Sequence, residues 1–378
     1  MESVGPIRAH DILPRCAPWP RCHVSAAAVH LHSKSDNDFA WAFIGRLRNG
    51  TELEPVEPGV PSTNLPLARR AVAHVSAWLS DVKRDDTAAW DEASHGDARR
   101  DAIQAVLDTV IMHGRWVNGS WDLLTPLYSD MSWSGTWQIL ANRSIVFMGD
   151  STMRVLWREF MSLYANTTRW ITVNARHCGI EGSGCKHCWM CCDMGCQMGP
   201  HSAEHLDCTM RHSQTNLTVD FLWKPEIFDP RDLDAFEERI CRHPPDLLVA
   251  SKGLHDAAFY EFSNESEWRR MYEAGFHRWL PLLRCLQGTQ IIWRSPEMPT
   301  RQPREAALVI LSESVVRRAF RAGEFGANAY LVDALALTNA ARATKEKSLV
   351  STDGHHYPPP VLRAEWIMIF LARVLHMR

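Results

Sequence analysis

The stretch that decides the fold reads Ser144-Ile-Val-Phe-Met-Gly-Asp-Ser-Thr-Met-Arg154. Its residues 145–148 are all apolar, which is typical of a strand buried on both faces of a parallel sheet. A Gly-Asp-Ser turn follows, and residues 152–164 carry a helical pattern. The stretch therefore predicts a buried strand that turns sharply into a helix, as in a doubly wound α/β sheet.

The same alternation of apolar runs and helical stretches continues to the end of the chain. It predicts further strands at 169–174, 217–223, 246–251, 289–294 and 329–333, and helices at 231–241, 265–287, 303–322 and 361–376. Strands separated by helices predict an α/β fold with three α/β/α layers and a mostly parallel, doubly wound sheet. In such sheets ligands bind at the carboxyl ends of the strands.

The residues before this domain fall into two parts. Residues 1–66 are irregular, and their proline-rich end predicts a stem or linker. Residues 67–84 and 96–113 have amphipathic helical patterns, so 67–113 is predicted to be a helical segment. The α/β domain is then expected to span 114–378, with a cysteine-rich insertion at 176–213.

Composition excludes some functions and favours one compartment. The net charge of −3 does not indicate a basic surface for nucleic acid. The sequence also contains no run of 18 apolar residues, the length that would predict a membrane span. Residues 1–20 carry no signal-peptide pattern. Six Asn-x-Ser/Thr sequons nevertheless favour the secretory pathway, in the Golgi lumen or outside the cell. They lie at Asn49, Asn118, Asn142, Asn166, Asn216 and Asn264.

The cysteines support the same compartment. Of 11 cysteines, seven lie between Cys178 and Cys208. Their Cys-x-x-Cys spacings, with histidines nearby, suit either a zinc site or disulfides, and an oxidising lumen favours disulfides. We therefore predict no metal. Because seven is odd, one of these cysteines must stay free or pair outside the segment, with Cys16, Cys22, Cys241 or Cys285.

Three polar segments carry the candidate chemistry. Ser151 is predicted at a helix N-terminus, where free N–H groups favour negative charge, so the turn can hold a nucleophile beside an oxyanion. The alternative is an ordinary helix cap. Asp353-Gly-His-His-Tyr357 precedes the last helix and offers a base with an orienting carboxylate. The alternative there is a polar turn with two solvated histidines.

The third segment, Gly253-Leu-His255-Asp256, follows the predicted strand 246–251. A glycine lets the backbone approach a substrate closely, and a neighbouring polar side chain can donate to an oxyanion. Gly253 and His255 are therefore candidate oxyanion or substrate-binding residues. The alternative for His255 is a loop histidine that caps a helix.

Together these segments resemble the SGNH/GDSL hydrolase superfamily, and within it the PC-esterase group. That group includes the plant trichome-birefringence-like polysaccharide O-acetyltransferases and the C-terminal domains of neurexophilin-and-PC-esterase proteins. Gly149-Asp-Ser-Thr-Met-Arg154 looks like its Gly-Asp-Ser-x-x-Arg signature, and Asp353-Gly-His-His-Tyr357 looks like its Asp-x-x-His-aromatic motif. Three further segments are similar in the same order: Gly114-Arg-Trp-Val117 with Pro126-Leu-Tyr128, Asn216-Leu-Thr-Val-Asp-Phe-Leu-Trp-Lys-Pro225, and Leu331-Val-Asp-Ala334.

The resemblance, over roughly residues 114–378, implies an SGNH-like fold and a covalent acyl-serine mechanism. It implies that Ser151 is the nucleophile, His356 the base and Asp353 its orienting carboxylate, because the family spacing selects His356 over His355. Arg154 matches the signature arginine. It can face the same site, one helical turn from Ser151, or form a structural ion pair under the turn.

The resemblance alone does not fix the roles of His255 and Asn216. His255 stands where the usual superfamily block has asparagine, which leaves the donor geometry open. Asn216 matches an asparagine that is a candidate oxyanion residue in the plant proteins, but it is also a sequon, and a glycan would exclude a buried role. Asn216 is therefore left out of the catalytic set.

These segments predict an acyl-transfer enzyme without a cofactor, and the resemblance implies an O-acetyltransferase acting on glycan hydroxyls. Its expected partners are an acyl donor and a carbohydrate acceptor. A glycan O-acetyl esterase would use the same triad, with water as acceptor. The rivals from other classes are a non-catalytic glycan-binding module and a zinc-dependent module centred on 177–208.

Overall fold

A central β-sheet with helices packed on both faces organises the protein, as a computed structural model shows. The structure describes residues 65–81, 96–130, 139–163, 170–175, 208–212, 215–224, 226–229, 233–234, 236–259, 264–300, 302–351 and 353–377. Most of the predicted stem, up to residue 64, and most of the predicted insertion, residues 176–207, lie outside these described residues.

The strands form a short hairpin and a main sheet. The hairpin pairs β1 (Trp116–Val117) with β2 (Ser120–Trp121). The main sheet contains β3 (Ser144–Gly149), β4 (Trp170–Ala175), β5 (Cys208–His212), β6 (Thr218–Trp223), β7 (Leu247–Ala250), β8 (Gln290–Arg294) and β9 (Ala329–Val332). Their order is β4-β5-β6-β3-β7-β8-β9. Strands β6, β3, β7, β8 and β9 pair in parallel, and β5 runs antiparallel to β4 and β6.

The described helices occupy both faces of this sheet. They are α1 (Leu65–Asp81), α2 (Gly96–His113), α3 (Thr125–Asp130), α4 (Ser151–Leu163), α5 (Leu254–Phe259), α6 (Glu265–Leu283), α7 (Pro303–Arg321), α8 (Ala334–Thr344) and α9 (Pro359–His376). No helix among the described residues is long and apolar enough to cross a membrane.

Strand β3 shows why the sheet is covered on both sides. Ile145 and Phe147 belong to one buried cluster, which includes side chains of α2, α4 and α9. Val146 and Met148 point the other way and belong to a second cluster, with side chains of α6 and α7. The continuous apolar run at 145–148 thus serves two cores, which confirms the predicted three-layer α/β fold with a mostly parallel sheet.

Strand β5 and helix α8 are among the elements that differ from the sequence-based expectations. Strand β5 was predicted to be part of the insertion 176–213, but it pairs with β4 and β6 in the sheet. Its sequence, Cys-Thr-Met-Arg-His, lacks an apolar run because the strand lies in the antiparallel part of the sheet. Helix α8 was not predicted; Asp333 caps it by accepting a hydrogen bond from the N–H of Ala336 at 2.9 Å.

A disulfide joins two connections on one face of the sheet. Residues 233, 234 and 236 are helical and lead into a π-helical turn at Glu237–Cys241, within the predicted helix 231–241. Cys241 is bonded there to Cys285, just past the end of α6, with 5.4 Å between the Cα atoms. This pairing removes both residues from the partners open to the segment 178–208.

The chain order creates a switch point at β3. After β3 the chain forms the strands on one side, ending in β6, and then crosses to β7 on the other side. At the carboxyl end of the sheet Gly149 lies beside Trp223, and Met148 lies beside Ala250. Loops from β3, β6 and β7 therefore meet at one crevice, the usual ligand site of such sheets.

Asp246 fixes the opposite, amino end of the sheet. Its carboxylate accepts hydrogen bonds from Ser144 N–H at 2.8 Å and Ser144 Oγ at 3.1 Å, and it pairs with Arg143 at 2.8 Å. Partial burial alone would raise the pKa of Asp246, but the bonds from Ser144 and Arg143 outweigh it and hold the pKa below its ordinary value of 3.8.

We expect Asp246→Asn to lower the free energy of unfolding by about 1–2 kcal/mol near neutral pH, since a charged acceptor is lost. A lowered folded-state pKa contributes stability above the unfolded pKa, and that stability is lost as the pH falls below about 4. Urea unfolding of the native protein and the variant, from neutral pH into acid, should show that the difference between their free energies of unfolding becomes smaller in acid. Asp234→Asn, at an exposed position, is the control. A difference that stays constant into acid would contradict the assignment.

Candidate active site

The turn between β3 and α4 is fixed by its first two residues. A Cβ atom on Gly149 would lie 2.5 Å from Met153 Cγ and 2.8 Å from the Ser251 carbonyl oxygen, so a larger residue does not fit. The buried carboxylate of Asp150 accepts hydrogen bonds from Thr152 N–H at 2.9 Å and Thr152 Oγ1 at 2.8 Å. Asp150 therefore caps the helix N-terminus.

This cap leaves Ser151 available for chemistry. Ser151 is the first residue of α4 and is half-buried. Its hydroxyl makes no hydrogen bond to any residue that the structure describes. The alternative of an ordinary cap thus applies to Asp150, and Ser151 lies where the first N–H groups of a helix point outward.

Asp353 and His356 are in direct contact. Asp353 Oδ2 lies 2.5 Å from His356 Nδ1, and Oδ1 accepts the N–H groups of His355 and His356, each at 2.9 Å. The glycine between them, Gly354, has φ +101°, a conformation that favours glycine. Partial burial alone would raise the pKa of Asp353, but the hydrogen bonds from His356 and His355 outweigh it and place the pKa well below the usual range. Asp353 is therefore a carboxylate at any physiological pH.

The other ring nitrogen of His356 is left open. Its Nε2 is buried and has no hydrogen-bond partner among the described residues, so Ser151 Oγ is not within hydrogen-bond distance of it. Both residues belong to the carboxyl edge of the sheet, because Ser151 follows β3 and the loop 353–357 is bonded to residues that follow β8. Catalytic hydrogen bonds are often long in the absence of substrate.

Gly253 lies beside the turn, directly after β7. Its φ of +119° favours glycine, and a Cβ atom there would lie 3.2 Å from the Tyr272 ring. The residue is buried. Ser251, two residues earlier, donates its N–H to the Met148 carbonyl at 3.0 Å, which keeps this loop close to the end of β3.

His255 lies in the first turn of α5 and does not cap it from a loop. Its ring meets Trp223 edge-on, with 6.2 Å between centroids, and its Nδ1 lies 3.9 Å from Glu226 Oε1. Burial lowers the pKa of His255, the charge of Asp150 partly opposes this, and Lys252 adds to it. The imidazole is therefore neutral at physiological pH.

Arg154 points to the same edge. Its guanidinium carbon lies 5.6 Å from the centre of the Trp223 ring, in cation–π geometry. Trp223 ends β6 and pairs in register with Gly149. Arg154 and His255 thus both lie against Trp223 at the carboxyl end of β6. Trp223 was not among the residues predicted from sequence, although its place at the end of a strand is a usable signal.

A buried charged cluster underlies the turn and was also missed. Arg294, at the end of β8, is fully buried, and its Nε donates to Glu365 Oε2 at 2.7 Å. The guanidinium also pairs with Glu297, and its Nη1 lies 3.3 Å from Thr152 Oγ1. The sequence signal is an arginine that ends an otherwise apolar strand, Gln-Ile-Ile-Trp-Arg.

Burial controls the charges of this cluster. It raises the pKa of Glu297 well above the ordinary value of 4.5, and Arg294 only partly opposes this effect. Burial also raises the pKa of Glu365, against the opposing charge of Arg294. Arg294 is thus the cation on which both buried carboxyls depend.

Asn216 lies away from this site. It precedes β6 at the amino end of the sheet, where it is exposed and accepts a hydrogen bond from Arg211 Nε at 2.8 Å. Trp223, at the carboxyl end of the same strand, is several residues away at about 3.3 Å each. Of the other sequon asparagines, the described ones, Asn118, Asn142 and Asn264, are also exposed.

No protein-family model and no curated protein sequence matches this chain. The resemblance to the SGNH/GDSL superfamily therefore rests on the short segments quoted above. Any assignment of function depends on the geometry of the candidate site.

We expect Arg294→Met to lower the free energy of unfolding by about 3–5 kcal/mol, because two buried carboxyl groups lose their cation. Urea unfolding measures the loss. The matched control is Arg318→Met, which removes an exposed ion pair with Glu273 (3.0 Å). That pair should contribute less than about 1 kcal/mol. Similar losses in the two variants would contradict the role given to Arg294.

Proposed function

We propose that this protein is a serine acyl-transfer enzyme with Ser151 as nucleophile, His356 as general base and Asp353 as its orienting carboxylate. The observation that carries the proposal is the contact of 2.5 Å between Asp353 and His356 Nδ1, which leaves the buried Nε2 open. A histidine held in this way has one nitrogen bound to a carboxylate and the other ready to take a proton.

In the first half-reaction, Ser151 Oγ attacks the carbonyl carbon of an acyl donor and His356 Nε2 takes the hydroxyl proton. The tetrahedral intermediate collapses, the bond to the leaving group breaks, and His356 returns the proton to that group. The product is an acyl-serine ester. Asp353 stays ionised throughout, and its charge stabilises the imidazolium that forms.

Three features support stabilisation of the developing oxyanion. Ser151 begins a helix of 13 residues, whose first N–H groups favour negative charge. Gly253, at the same crevice, has no side chain that would keep a substrate away from its backbone. His255, neutral at physiological pH, is a polar side chain next to it. Donors that are fixed before the reaction stabilise the transition state without reorganisation.

In the second half-reaction, an acceptor hydroxyl gives its proton to His356 and attacks the acyl carbon. The ester bond to Ser151 Oγ then breaks, and His356 returns the proton to Ser151. A sugar hydroxyl makes the protein an O-acetyltransferase, which the resemblance to the plant enzymes favours, with acetyl as the acyl group. Water makes it a glycan O-acetyl esterase, the second candidate. The half-exposed side chain of Asp353, with 51% of its surface accessible, favours this second outcome by admitting water.

The proposed compartment is the secretory pathway, in the Golgi lumen or outside the cell. The disulfide between Cys241 and Cys285 supports an oxidising environment. Exposure of Asn118, Asn142, Asn216 and Asn264 supports glycosylation, because a glycan needs a surface asparagine. Except for Cys208, the rival zinc module at 177–208 falls on residues outside the described ones.

We expect Ser151→Ala and His356→Ala each to abolish serine labelling by a fluorophosphonate and to reduce acyl transfer by about 10⁶-fold. The double variant should be little worse, because the residues act as a unit. Asp353→Asn should cost about 10⁴-fold, since the imidazole tautomer is no longer fixed. The control is Ser162→Ala on the same helix, whose hydroxyl bonds to Glu159. Labelling of Ser151→Ala at the rate of the native protein would refute the proposal and favour a glycan-binding module.

We also expect the native protein to shift to higher gel mobility after N-glycosidase treatment. Ser266→Ala removes the sequon at Asn264 but keeps Asn264 itself, which caps α6 by accepting the N–H of Glu267 at 2.9 Å. It should remove one glycan without loss of stability. Ser314→Ala, outside any sequon, is the control. An unshifted native protein would argue against a lumenal location.

A further inference from the structure

The loop that carries Asp353 and His356 is attached to the segment that follows β8. Gly354 accepts a hydrogen bond from Thr300 N–H at 2.9 Å through its carbonyl oxygen. Tyr357 donates its hydroxyl proton to the Met298 carbonyl, also at 2.9 Å. These two bonds hold the loop before and after its two histidines, but neither fixes a histidine ring.

A third contact reaches the histidines themselves. His355 Nε2 lies 2.9 Å from Glu305 Oε2. Glu305 is buried, with 5% of its side chain exposed, whereas His355 is 28% exposed. The interpretation of two solvated histidines therefore fails for His355, which has a buried carboxylate as its partner.

Glu305 is a rigid support for this contact. It is the third residue of α7, a helix of 19 residues that begins at Pro303. A carboxylate in the first turn of a helix is stabilised by the N-terminal N–H groups. A buried side chain on a long helix has little freedom to move, so the position of its Oε2 is well defined.

The geometry couples the two histidines. The N–H groups of His355 and His356 both donate to the same oxygen, Asp353 Oδ1, at 2.9 Å. The His356 ring binds the other oxygen of that carboxylate. If the side chain of His355 is released, the peptide that joins the two histidines can rotate, and both the backbone bond and the ring of His356 are affected.

We propose that Glu305 is a positioning residue: by binding His355 it holds the loop in the conformation that keeps Asp353 and His356 paired. The inference rests on the proposed acyl-transfer function, within which Glu305 acts through His355 and touches neither substrate nor Ser151. The tolerance for misplacement at such a site is small, since a shift of about 1 Å can cost about 10²-fold in rate.

Three variants test this role. Glu305→Ala removes the acceptor, and we expect kcat and the rate of fluorophosphonate labelling to fall by about 10–100-fold while KM stays unchanged. Glu305→Gln keeps an oxygen that can accept from His355, so it should restore most of the rate. Glu273→Ala, on α6, is the matched control, because it removes a glutamate paired with Arg318 and not with the loop. It should leave both rates unchanged.

A proton NMR spectrum separates this inference from the proposed function. The proton between Asp353 and His356 Nδ1 should give a far-downfield resonance in the native protein and in Glu305→Gln, and should be broadened or lost in Glu305→Ala. If Glu305→Ala keeps the resonance and the labelling rate and only its thermal midpoint falls, the role is merely structural and the inference is overturned. If the native protein is not labelled at all, the proposed function fails, and the resonance alone still decides whether Glu305 positions the loop.

Discussion

A single buried cation ties the layers of this protein together at the edge where the candidate site lies. Arg294 extends from the end of β8, binds Glu365 of α9 and reaches Thr152 in the first turn of α4. All of these side chains are buried, so neither water nor another cation can replace the arginine without several kcal/mol of cost. Ser151 precedes Thr152 directly, and its position therefore depends on this cluster.

At the same edge of the sheet, neighbouring residues have different roles. Asp150 caps the helix, and Ser151 is left with an unbonded hydroxyl among the described contacts. Later in the chain, at the same edge of the sheet, His355 binds Glu305 and His356 binds Asp353. In each pair one residue holds the backbone in place, and its neighbour carries the side chain that is proposed to react.

Local sequence signals were sufficient for the main elements of the fold. The apolar run of β3, the glycine after it and the helical period of α4 are all contained in one short stretch, and the structure has them at Ser144–Gly149 and Ser151–Leu163. The contact between Asp353 and His356 spans only three residues, so it too could be anticipated from spacing. Strand β5 could not be anticipated from the sequence, because a short antiparallel strand next to a cysteine-rich segment has no distinct hydrophobic pattern.

Long-range partners could not be predicted from the sequence alone. Arg294 meets Thr152, 142 residues away along the chain, and Glu365, 71 residues away. Glu305 and His355 are 50 residues apart. A charged residue in an apolar stretch signals that some partner exists, but which carboxylate it meets is decided by the order of strands in the sheet. The same holds for Trp223, whose neighbours Arg154 and His255 come from different helices.

The polarity of the parallel sheet gives the molecule two unlike ends. Asn142 and Asn216 lie together at the amino end, where the Asn216 amide donates to Asn142 Oδ1 at 3.2 Å. A glycan on either asparagine would cover the end of the sheet opposite to Ser151. Under the proposed function, glycans at these two positions would therefore leave the approach of an acceptor to Ser151 unobstructed.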